Sequence, residues 1–128
     1  MVQQPVVIVG SGLAGYTVAR EFRKLDTETP VIILSGDHGG FYSKPMLSNA
    51  FAQKKNAESL LMKDSAKMAA EIKIEVRANS KVSAIDPQHK QLTVNGDVVP
   101  YSKLGLALGA DPIRLPLQGD GANAVVSV

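Results

Sequence analysis

The chain has 128 residues, 45% of them hydrophobic, and a formal net charge of +2, which suits one domain with a hydrophobic core and is too short for a complete two-domain enzyme. Acidic and basic residues are interspersed, which excludes the basic face of a nucleic-acid-binding protein, and no apolar run approaches the ~18 residues of a membrane helix, so we expect a cytoplasmic protein without membrane contact. The chain has no cysteine, which excludes disulfides and thiolate metal sites, so any redox chemistry must reside in a bound cofactor.

The first predicted elements are a strand and a helix joined by a glycine-rich turn. An apolar run at residues 6–9 is followed at once by Gly10-Ser11-Gly12-Leu13-Ala14-Gly15. The first glycine permits a tight turn, the second lets the backbone approach a phosphate, and the third lets the helix lie close to the strand. Backbone N–H groups and the positive end of the helix dipole then bind the anion. The motif predicts a dinucleotide pyrophosphate site, and its alternative is a purely structural turn.

The helix and the next apolar run complete a predicted βαβ unit. The apolar stripe expected to face the sheet recurs at helical spacing and consists of Ala14, Val18, Phe22 and Leu25. A second strand is predicted at residues 31–34, and Asp37 is the only carboxylate near its end. An acidic residue in this part of such a unit receives the ribose hydroxyls. Because Ser35 and Gly36 separate Asp37 from the strand, a solvated loop aspartate is the alternative.

The middle of the chain is a long connection over residues 37–63 without clean periodicity. Long excursions in compact domains are usually functional or disordered, and the apolar content here favours one or two short helices packed near a ligand. Asp64 or Ser65 is placed to cap a further helix that continues through about Glu71. The predicted buried side of that helix consists of Met68 and Ala69.

The second half of the chain contains several short segments in which apolar and polar residues alternate, as is typical of strands. Residues 72–77 predict a strand with one buried face. A small antiparallel meander is predicted at residues 82–85, 92–94 and 98–99, with Asn95-Gly96 as a hairpin turn. Residues 104–108 predict a parallel strand near the centre of the domain, although Gly105 weakens a strand interior. Residues 125–126 are the candidate for a last strand.

Six segments of the chain form a combined pattern, namely residues 7–16, 19–25, 42–48, 81–86, 101–104 and 107–110. This pattern resembles the FAD-dependent pyridine-nucleotide oxidoreductases, and most closely the rubredoxin and flavorubredoxin reductases. The resemblance implies an α/β fold, in which a Rossmann-like FAD-binding domain has a parallel sheet plus a small antiparallel β-meander. In that family a nicotinamide-binding domain is inserted after this region. We therefore expect residues 1–128 to be the first segment of an incomplete FAD domain, with the nicotinamide-binding and carboxy-terminal interface domains absent.

The resemblance also implies the residues that hold the adenosine diphosphate end of FAD. Those along the pyrophosphate would be Gly10, Gly12, Leu13, Ala14 and Gly15. Asp37 would bond the adenosine ribose. The backbone of Val82 would pair with the adenine edge, while on any other interpretation its side chain belongs to ordinary strand packing.

Further residues would lie near the flavin end of the cofactor. Lys44 takes the place of a basic residue beside the pyrophosphate and the flavin, where a cation offsets phosphate charge, and a solvent-facing lysine is the alternative. Pro45 would pack near the ring, and Ala107 and Gly109 match a strand end that passes close to the cofactor. Asn49 departs from the lysine that many ferredoxin reductases of the wider group have near the flavin, and Gly105 departs from the β-branched residue usual in its strand.

The activity that the resemblance implies is an NADH- or NADPH-dependent reductase that passes single electrons through FAD to rubredoxin or a flavorubredoxin-like iron protein. The flavin performs the chemistry, so the sequence predicts no catalytic acid, base or nucleophile and no metal site. Disulfide reductases of this fold carry a cysteine pair in the region matching residues 41–51, and its absence here indicates a discrete one-electron acceptor. Rubredoxins are generally acidic, and a basic rim for such a partner is offered by Lys44, Lys54, Lys55 and Lys63.

Two other functions are compatible with the glycine-rich turn. One is the NAD-binding domain of an ordinary dehydrogenase, against which the antiparallel meander argues. The other is a non-catalytic nucleotide-binding fragment, so that the 128-residue chain by itself is inactive even though the whole protein is a reductase. His38 and His89 both lie in polar turns, where solvated histidines are expected.

Overall fold

A four-stranded parallel sheet lies between two other layers of the molecule. The computed structural model describes residues 3–111 and 113–126, and the sheet consists of β1 (Val6–Val9), β2 (Val31–Leu34), β3 (Glu75–Arg77) and β7 (Lys103–Leu106). Their order is β3-β2-β1-β7, and every neighbouring pair is parallel. Every residue of β1 and β2 is buried, because a parallel sheet is covered on both faces. The predicted α/β fold is confirmed.

Helices cover one face of this sheet. The α-helices of the described chain are α1 (Leu13–Leu25), α2 (Ala57–Leu60) and α3 (Ser65–Ile72), and 3₁₀ helices run over Lys44–Asn49 and Ala122–Ala124. Side chains of α1 and α3 share one apolar cluster with Ile8 and Ile33 of the sheet. The 3₁₀ helix over Lys44–Asn49 and α2 confirm the prediction of short helices within residues 37–63. The predicted cap of α3 is also confirmed, because the Asp64 carboxylate accepts from the Lys67 N–H at 2.8 Å.

The predicted buried face of α1 is wrong. Of the expected stripe only Phe22 packs against the core, whereas Val18 and Leu25 are 48% and 90% exposed. The residues that α1 buries are Gly15, Tyr16 and Ala19. The physical reason is close packing at the start of the helix, since a Cβ added at Gly15 would lie 2.0 Å from the Gly10 carbonyl oxygen. This approach fixes the rotation of the helix, so that the face with Gly15, Tyr16 and Ala19 is buried and the face with Val18 and Leu25 is exposed.

An antiparallel meander covers the opposite face of the sheet. It consists of β4 (Val82–Asp86), β5 (Gln91–Val94) and β6 (Asp97–Pro100), in that order. The β5–β6 turn is Asn95-Gly96, with φ values of 50° and 86°, as a type I′ hairpin requires. Leu92, Val94 and Val99 of the meander share a second apolar cluster with β1 and β2. The prediction of a meander is confirmed, and the fold has three layers.

The predicted strand over residues 72–77 begins later than expected. Ile72 belongs to α3, where it is buried together with Met68 one turn earlier. The helix ends at Lys73, whose left-handed φ of 57° turns the chain, and β3 starts only at Glu75. The alternation of Ile72, Ile74 and Val76 is thus shared between a helix end and a strand, because the spacing from Met68 to Ile72 also fits a helical face.

Two predictions for the last part of the chain are also corrected. Among the described residues β7 pairs only with β1, so it lies at the edge of the sheet and not at its centre. Val125 and Val126 form no strand and are 60% and 85% exposed.

A Cβ added at Gly105 would lie 3.6 Å from the Ile8 side chain, so crowding does not explain this glycine. No helix among residues 3–111 and 113–126 has the length and apolarity needed to cross a membrane.

Candidate functional site

The carboxyl ends of β1, β2 and β7 meet at one edge of the parallel sheet, and the chain that follows each of them borders a single cleft. The cleft has a volume of about 740 Å³. After β1 it is lined by residues 10–14, after β2 by residues 35–37, and after β7 by residues 107–111. Tyr42, Lys44 and Pro45 border it from the long connection. Clefts of this size at strand ends are the usual ligand sites of parallel α/β sheets.

The three glycines of the turn have different roles. Gly10 has a φ of 115°, and a Cβ there would lie 2.0 Å from the carbonyl oxygen of Ala107. Gly15 is packed against Gly10 in the same way and lies behind the cleft, outside its lining. Gly12 differs, because nothing lies within 4 Å of an added Cβ and its φ is −75°. Gly10 and Gly15 therefore hold the turn together, and Gly12 is the position at which the backbone is open to a ligand.

The first turn of α1 is suited to an anion. Its N-cap is Gly12, which provides no side-chain hydrogen bond, and its first turn contains no acidic residue. The free N–H groups of a helix start and the helix dipole both favour a negative group. Leu13 is 49% exposed on the cleft side. This start of α1 fits a pyrophosphate, which would satisfy the N–H groups that no side chain caps.

Asp37 is held by its own loop after β2. Its Oδ1 atom accepts from the Ser35 hydroxyl at 2.6 Å and from the Gly39 N–H at 2.8 Å. Partial burial works against ionisation of this carboxyl, but these hydrogen bonds outweigh it, so the pKa of Asp37 lies below its usual range. Asp37 is therefore an ionised acceptor at the cleft, at the place where a ribose was predicted.

Tyr16 supports the same loop from below. The Tyr16 hydroxyl donates to the carbonyl oxygen of Gly39, and its fully buried ring packs edge-on against Phe41. Burial raises the pKa of Tyr16 to about 12, and the nearby Asp37 carboxylate adds to the shift. The hydroxyl thus remains protonated and keeps its role as a donor. α1 thereby fixes the loop that carries Asp37, which the sequence alone did not indicate.

Lys44 is the first residue of the 3₁₀ helix beside the cleft, and Pro45 is the second. Lys44 is exposed and forms no ion pair with another residue of the described chain. It is therefore a cation available to an anion in the cleft. Lys63 is not in this state, because it is ion-paired with Glu71. The basic rim expected for an acidic partner protein is correspondingly reduced by one lysine.

Val82 does not border this first cleft. It lies in a second one, of about 540 Å³, between the parallel sheet and β4 of the meander. The two clefts share Gly10, Gly36 and Leu108 in their linings, so they adjoin. An elongated ligand in the first cleft can therefore extend towards β4, where the backbone register with β5 is interrupted after Val82.

The structure thus brings most of the predicted site residues to one edge of the sheet. Those that line the first cleft are Gly10, Gly12, Leu13, Ala14, Asp37, Lys44, Pro45, Ala107 and Gly109. Asn49 is not among its lining residues. The lining residues that sequence reasoning missed include Ser11, Ser35 and Tyr42. Their position directly after predicted parallel strands, or beside Lys44, was the signal that could have found them.

The histidines take no part in the site. His38 Nδ1 accepts from the Gly40 N–H at 2.9 Å, and His89 Nδ1 lies 2.7 Å from an Asp86 carboxylate oxygen in the β4–β5 turn. Residues 3–111 and 113–126 contain no group of three or more histidine, aspartate or glutamate side chains placed to hold a metal ion.

Fold and site together define the class of protein: an α/β dinucleotide-binding domain with its phosphate turn between the first strand and helix. Comparison with known proteins narrows this class. Residues 4–128 match the family model described as pyridine nucleotide-disulphide oxidoreductase. The chain belongs to this family.

Curated relatives of the chain are named reductases. It is 48% identical over 124 residues to the rubredoxin-NAD(+) reductase of Alcanivorax borkumensis, covering 97% of this chain and 32% of the relative. It is 36% identical over 124 residues to the nitric oxide reductase FlRd-NAD(+) reductase of Vibrio vulnificus, with the same coverage of both chains. The chain thus spans about a third of the length of these relatives.

The fold also matches solved structures. In the covalent complex of putidaredoxin reductase with putidaredoxin, the matching chain is 30% identical, with a TM-score of 0.80 over 96% of this chain and 30% of that one. The NADH:rubredoxin oxidoreductase of Clostridium acetobutylicum matches at 24% identity, with a TM-score of 0.68 over 90% of this chain and 30% of that one. At that identity the second likeness concerns the fold alone.

Proposed function

We propose that this chain is the FAD-binding part of an NAD(P)H-dependent flavoprotein reductase that passes electrons to rubredoxin or a rubredoxin-like iron protein. The observation that carries the proposal is the cleft at the sheet edge, where an uncapped helix start, an ionised Asp37 and a free Lys44 border one space. The names of the relatives support the electron path, since they include rubredoxin and FlRd reductases. A neighbour solved as a complex with putidaredoxin supports a protein acceptor.

In this proposal the residues of the chain bind and orient the cofactor. Backbone N–H groups of residues 12–14 hold the pyrophosphate, and Lys44 offsets its charge. Asp37 accepts from the adenosine ribose hydroxyls, and the backbone of Val82 in the adjoining cleft meets the adenine edge. Ala107, Gly109 and Pro45, which line the same cleft, border the path towards the flavin. When bound, FAD supplies the chemistry that converts hydride transfer from NAD(P)H into single-electron transfer.

The acceptor in this proposal is a small acidic iron protein in the cytoplasm. Lys54 and Lys55 are exposed on the long connection that also carries Lys44, so this region offers positive charge to an acidic partner. Such complementarity raises association rates and falls with ionic strength. The meander over β4–β6 is a feature of FAD domains that simple NAD domains lack, so it favours FAD over NAD as the ligand of the cleft.

The experiment that tests cofactor binding compares Gly12→Ala with Gly121→Ala. Both added methyl groups meet nothing within 4 Å in the protein, so neither variant is expected to lose stability. Gly12 lies in the cleft, whereas Gly121 is an exposed residue outside it. FAD is titrated into each purified chain and followed by the change in flavin absorbance and fluorescence. We expect the Kd for FAD to rise at least about tenfold in Gly12→Ala only, a loss of about 1.4 kcal/mol.

The same titration separates the alternatives. Equal FAD affinity in the two variants would show that the glycine turn does not hold the pyrophosphate. Binding of NAD with no binding of FAD would favour an NAD-binding domain and contradict the proposal. FAD binding without NADH-dependent reduction of a rubredoxin by the chain would assign it cofactor binding alone, with turnover left to the whole protein.

A further inference from the structure

Ser35, the first residue after β2, lies at the centre of a partly buried hydrogen-bond group that borders the cleft. It is 2% exposed. Its hydroxyl oxygen lies 2.7 Å from the hydroxyl oxygen of Ser11 in the glycine turn and 2.6 Å from Asp37 Oδ1. The Asp37 N–H also donates to it at 3.3 Å. A single buried hydroxyl thus joins the phosphate turn to the predicted ribose residue.

The backbone of Ser35 is fixed as well. Its N–H donates to the carbonyl of Arg77 at 3.0 Å, and its carbonyl accepts from the Ser80 N–H at 2.6 Å. The carbonyl of Asp37 accepts from the Asn79 N–H at 2.7 Å. The segment after β3 therefore holds the backbone of the loop in place.

The direction of each hydrogen bond in this group follows from proton counting. An ionised Asp37 carboxylate only accepts, so the single hydroxyl proton of Ser35 is used on Oδ1. The bond between the two serines must then be donated by Ser11. The hydroxyl proton of Ser11 is consequently used on the Ser35 oxygen. A phosphate at the turn would be bound by backbone N–H groups and not by this hydroxyl.

The group leaves one carboxylate oxygen for a ligand. Oδ1 of Asp37 already accepts from Ser35 and Gly39, and the Ser11 side chain also stabilises the ionised carboxylate. No donor among the described residues lies within hydrogen-bond distance of Oδ2. Asp37 is exposed and borders the cleft. A carboxylate held in one orientation binds hydroxyl donors with less loss of side-chain entropy than a freely rotating one. The vicinal hydroxyls of a ribose supply such donors.

We propose that the hydrogen-bonded chain Ser11–Ser35–Asp37 presents Asp37 Oδ2 to the ribose, with Ser35 and Ser11 as positioning residues that contact neither phosphate nor sugar. This inference rests on the proposed function, because it takes an adenosine nucleotide as the ligand. It adds a coupling between the phosphate turn and ribose recognition. A change in Ser11 should act on the sugar through Ser35, although Ser11 lies in the phosphate turn.

The test uses two probes that differ only in the ribose hydroxyls, ADP and 2′,3′-dideoxy-ADP, titrated calorimetrically into the purified full chain. The variants are Ser35→Ala and Ser11→Ala. The control is Ser102→Ala, because Ser102 is half-buried like Ser11 and its hydroxyl is likewise hydrogen-bonded, in this case to the backbone carbonyl of Pro5. Ser102 precedes β7 and lies outside both clefts.

We expect the unmodified chain to bind ADP about tenfold more tightly than dideoxy-ADP, a ratio typical of one charge-assisted hydrogen bond. In Ser35→Ala that preference should fall to about threefold or less through weaker ADP binding, with dideoxy-ADP within about twofold of the unmodified chain. Ser11→Ala should reduce the preference in the same direction and less strongly. Ser102→Ala should leave both affinities unchanged. If Ser35 had a structural role alone, Ser35→Ala would lower the affinity for ADP and for dideoxy-ADP by the same factor.

Each other outcome overturns a stated part of the inference. An unchanged preference in Ser35→Ala and in Ser11→Ala would exclude the positioning role, and Ser11→Ala decides the question if Ser35→Ala does not fold. Weaker binding of dideoxy-ADP in Ser11→Ala would show that its hydroxyl contacts the phosphate. Equal affinity of the unmodified chain for both probes would contradict this inference, but it would not contradict the proposed nucleotide-binding cleft. Absence of ADP binding would remove the proposed function together with the inference.

Discussion

Arg23 joins three segments at the end of the sheet opposite the cleft, and replacing it with methionine should destabilise the fold. Its Nε donates to the Ile72 carbonyl at 3.1 Å and its Nη2 to that of Lys73 at 2.8 Å, both at the end of α3. Its Nη1 donates to the carbonyls of Asp26 and Thr29, each at 2.9 Å. One guanidinium thus pairs with carbonyls from the ends of two helices and from the loop before β2.

The magnitude follows from the burial of these bonds. Three of the four are partly buried, and the one to Lys73 is exposed. A hydrogen bond contributes a net ~1 kcal/mol when partly buried and little when exposed, so Arg23→Met should lower the free energy of unfolding by about 3 kcal/mol. Methionine keeps the apolar stem of the side chain, which limits the loss to these polar contacts.

Urea unfolding followed by far-ultraviolet circular dichroism measures this change, and Lys24→Met is the matched control. Lys24 occupies the same last turn of α1, but its side chain is 63% exposed, and within the described part of the chain it is paired only with Glu21. Its replacement should change the free energy of unfolding by no more than about 0.5 kcal/mol. Equal effects of the two substitutions would refute the reasoning, because they would show that the guanidinium contacts add nothing beyond a helix-end charge.

Two further predictions concern packing and pH. Gly15→Ala should lower the free energy of unfolding by about 2 kcal/mol or more, because its Cβ would lie 2.0 Å from the Gly10 oxygen; urea unfolding that finds it as stable as Gly12→Ala would contradict this packing. Hydrogen bonds from the Thr29 hydroxyl and backbone lower the pKa of Asp26 from 3.8 to about 2. The ionised Asp26 therefore stabilises the fold fully at a pH above the pKa it has in the unfolded chain. This stabilisation is lost as the pH falls through the lower pKa that Asp26 has in the folded protein. An NMR titration of the Asp26 carboxyl should show this low pKa, and Thr29→Val should raise it; an ordinary pKa in the unmodified chain would exclude the Thr29 contacts in solution.

Local patterns predicted the strands and turns well because their causes are short-range. The continuous apolar runs of β1 and β2 predict strands buried on both faces, and the structure buries every residue of both. Asn95-Gly96 predicts a hairpin because those residues adopt positive φ at low cost, and both do so here. The Asp64 cap depends only on atoms within one helical turn. These elements needed no knowledge of distant parts of the chain.

The rotation of α1 and the boundary between α3 and β3 were missed for a common reason. Apolar side chains fit more than one periodicity, so the sequence does not say which of them meets a neighbour. Tyr16 has its buried place because Phe41 and the Gly39 carbonyl lie above it, and Ile72 has its place because α3 packs on the sheet next to α1. Contacts between distant segments decided both.

By itself the sequence predicted most of the strands and helices in their order, the glycine turn, and Asp37 and Lys44 as candidate nucleotide-binding residues. Only the tertiary structure decided that these residues, with the strand end after β7, border one cleft. It also decided that Ser35 links Asp37 to Ser11. The physical reason is that parallel pairing brings together the carboxyl ends of strands far apart in the chain, and hydrogen bonds across those ends form only after the sheet has aligned them.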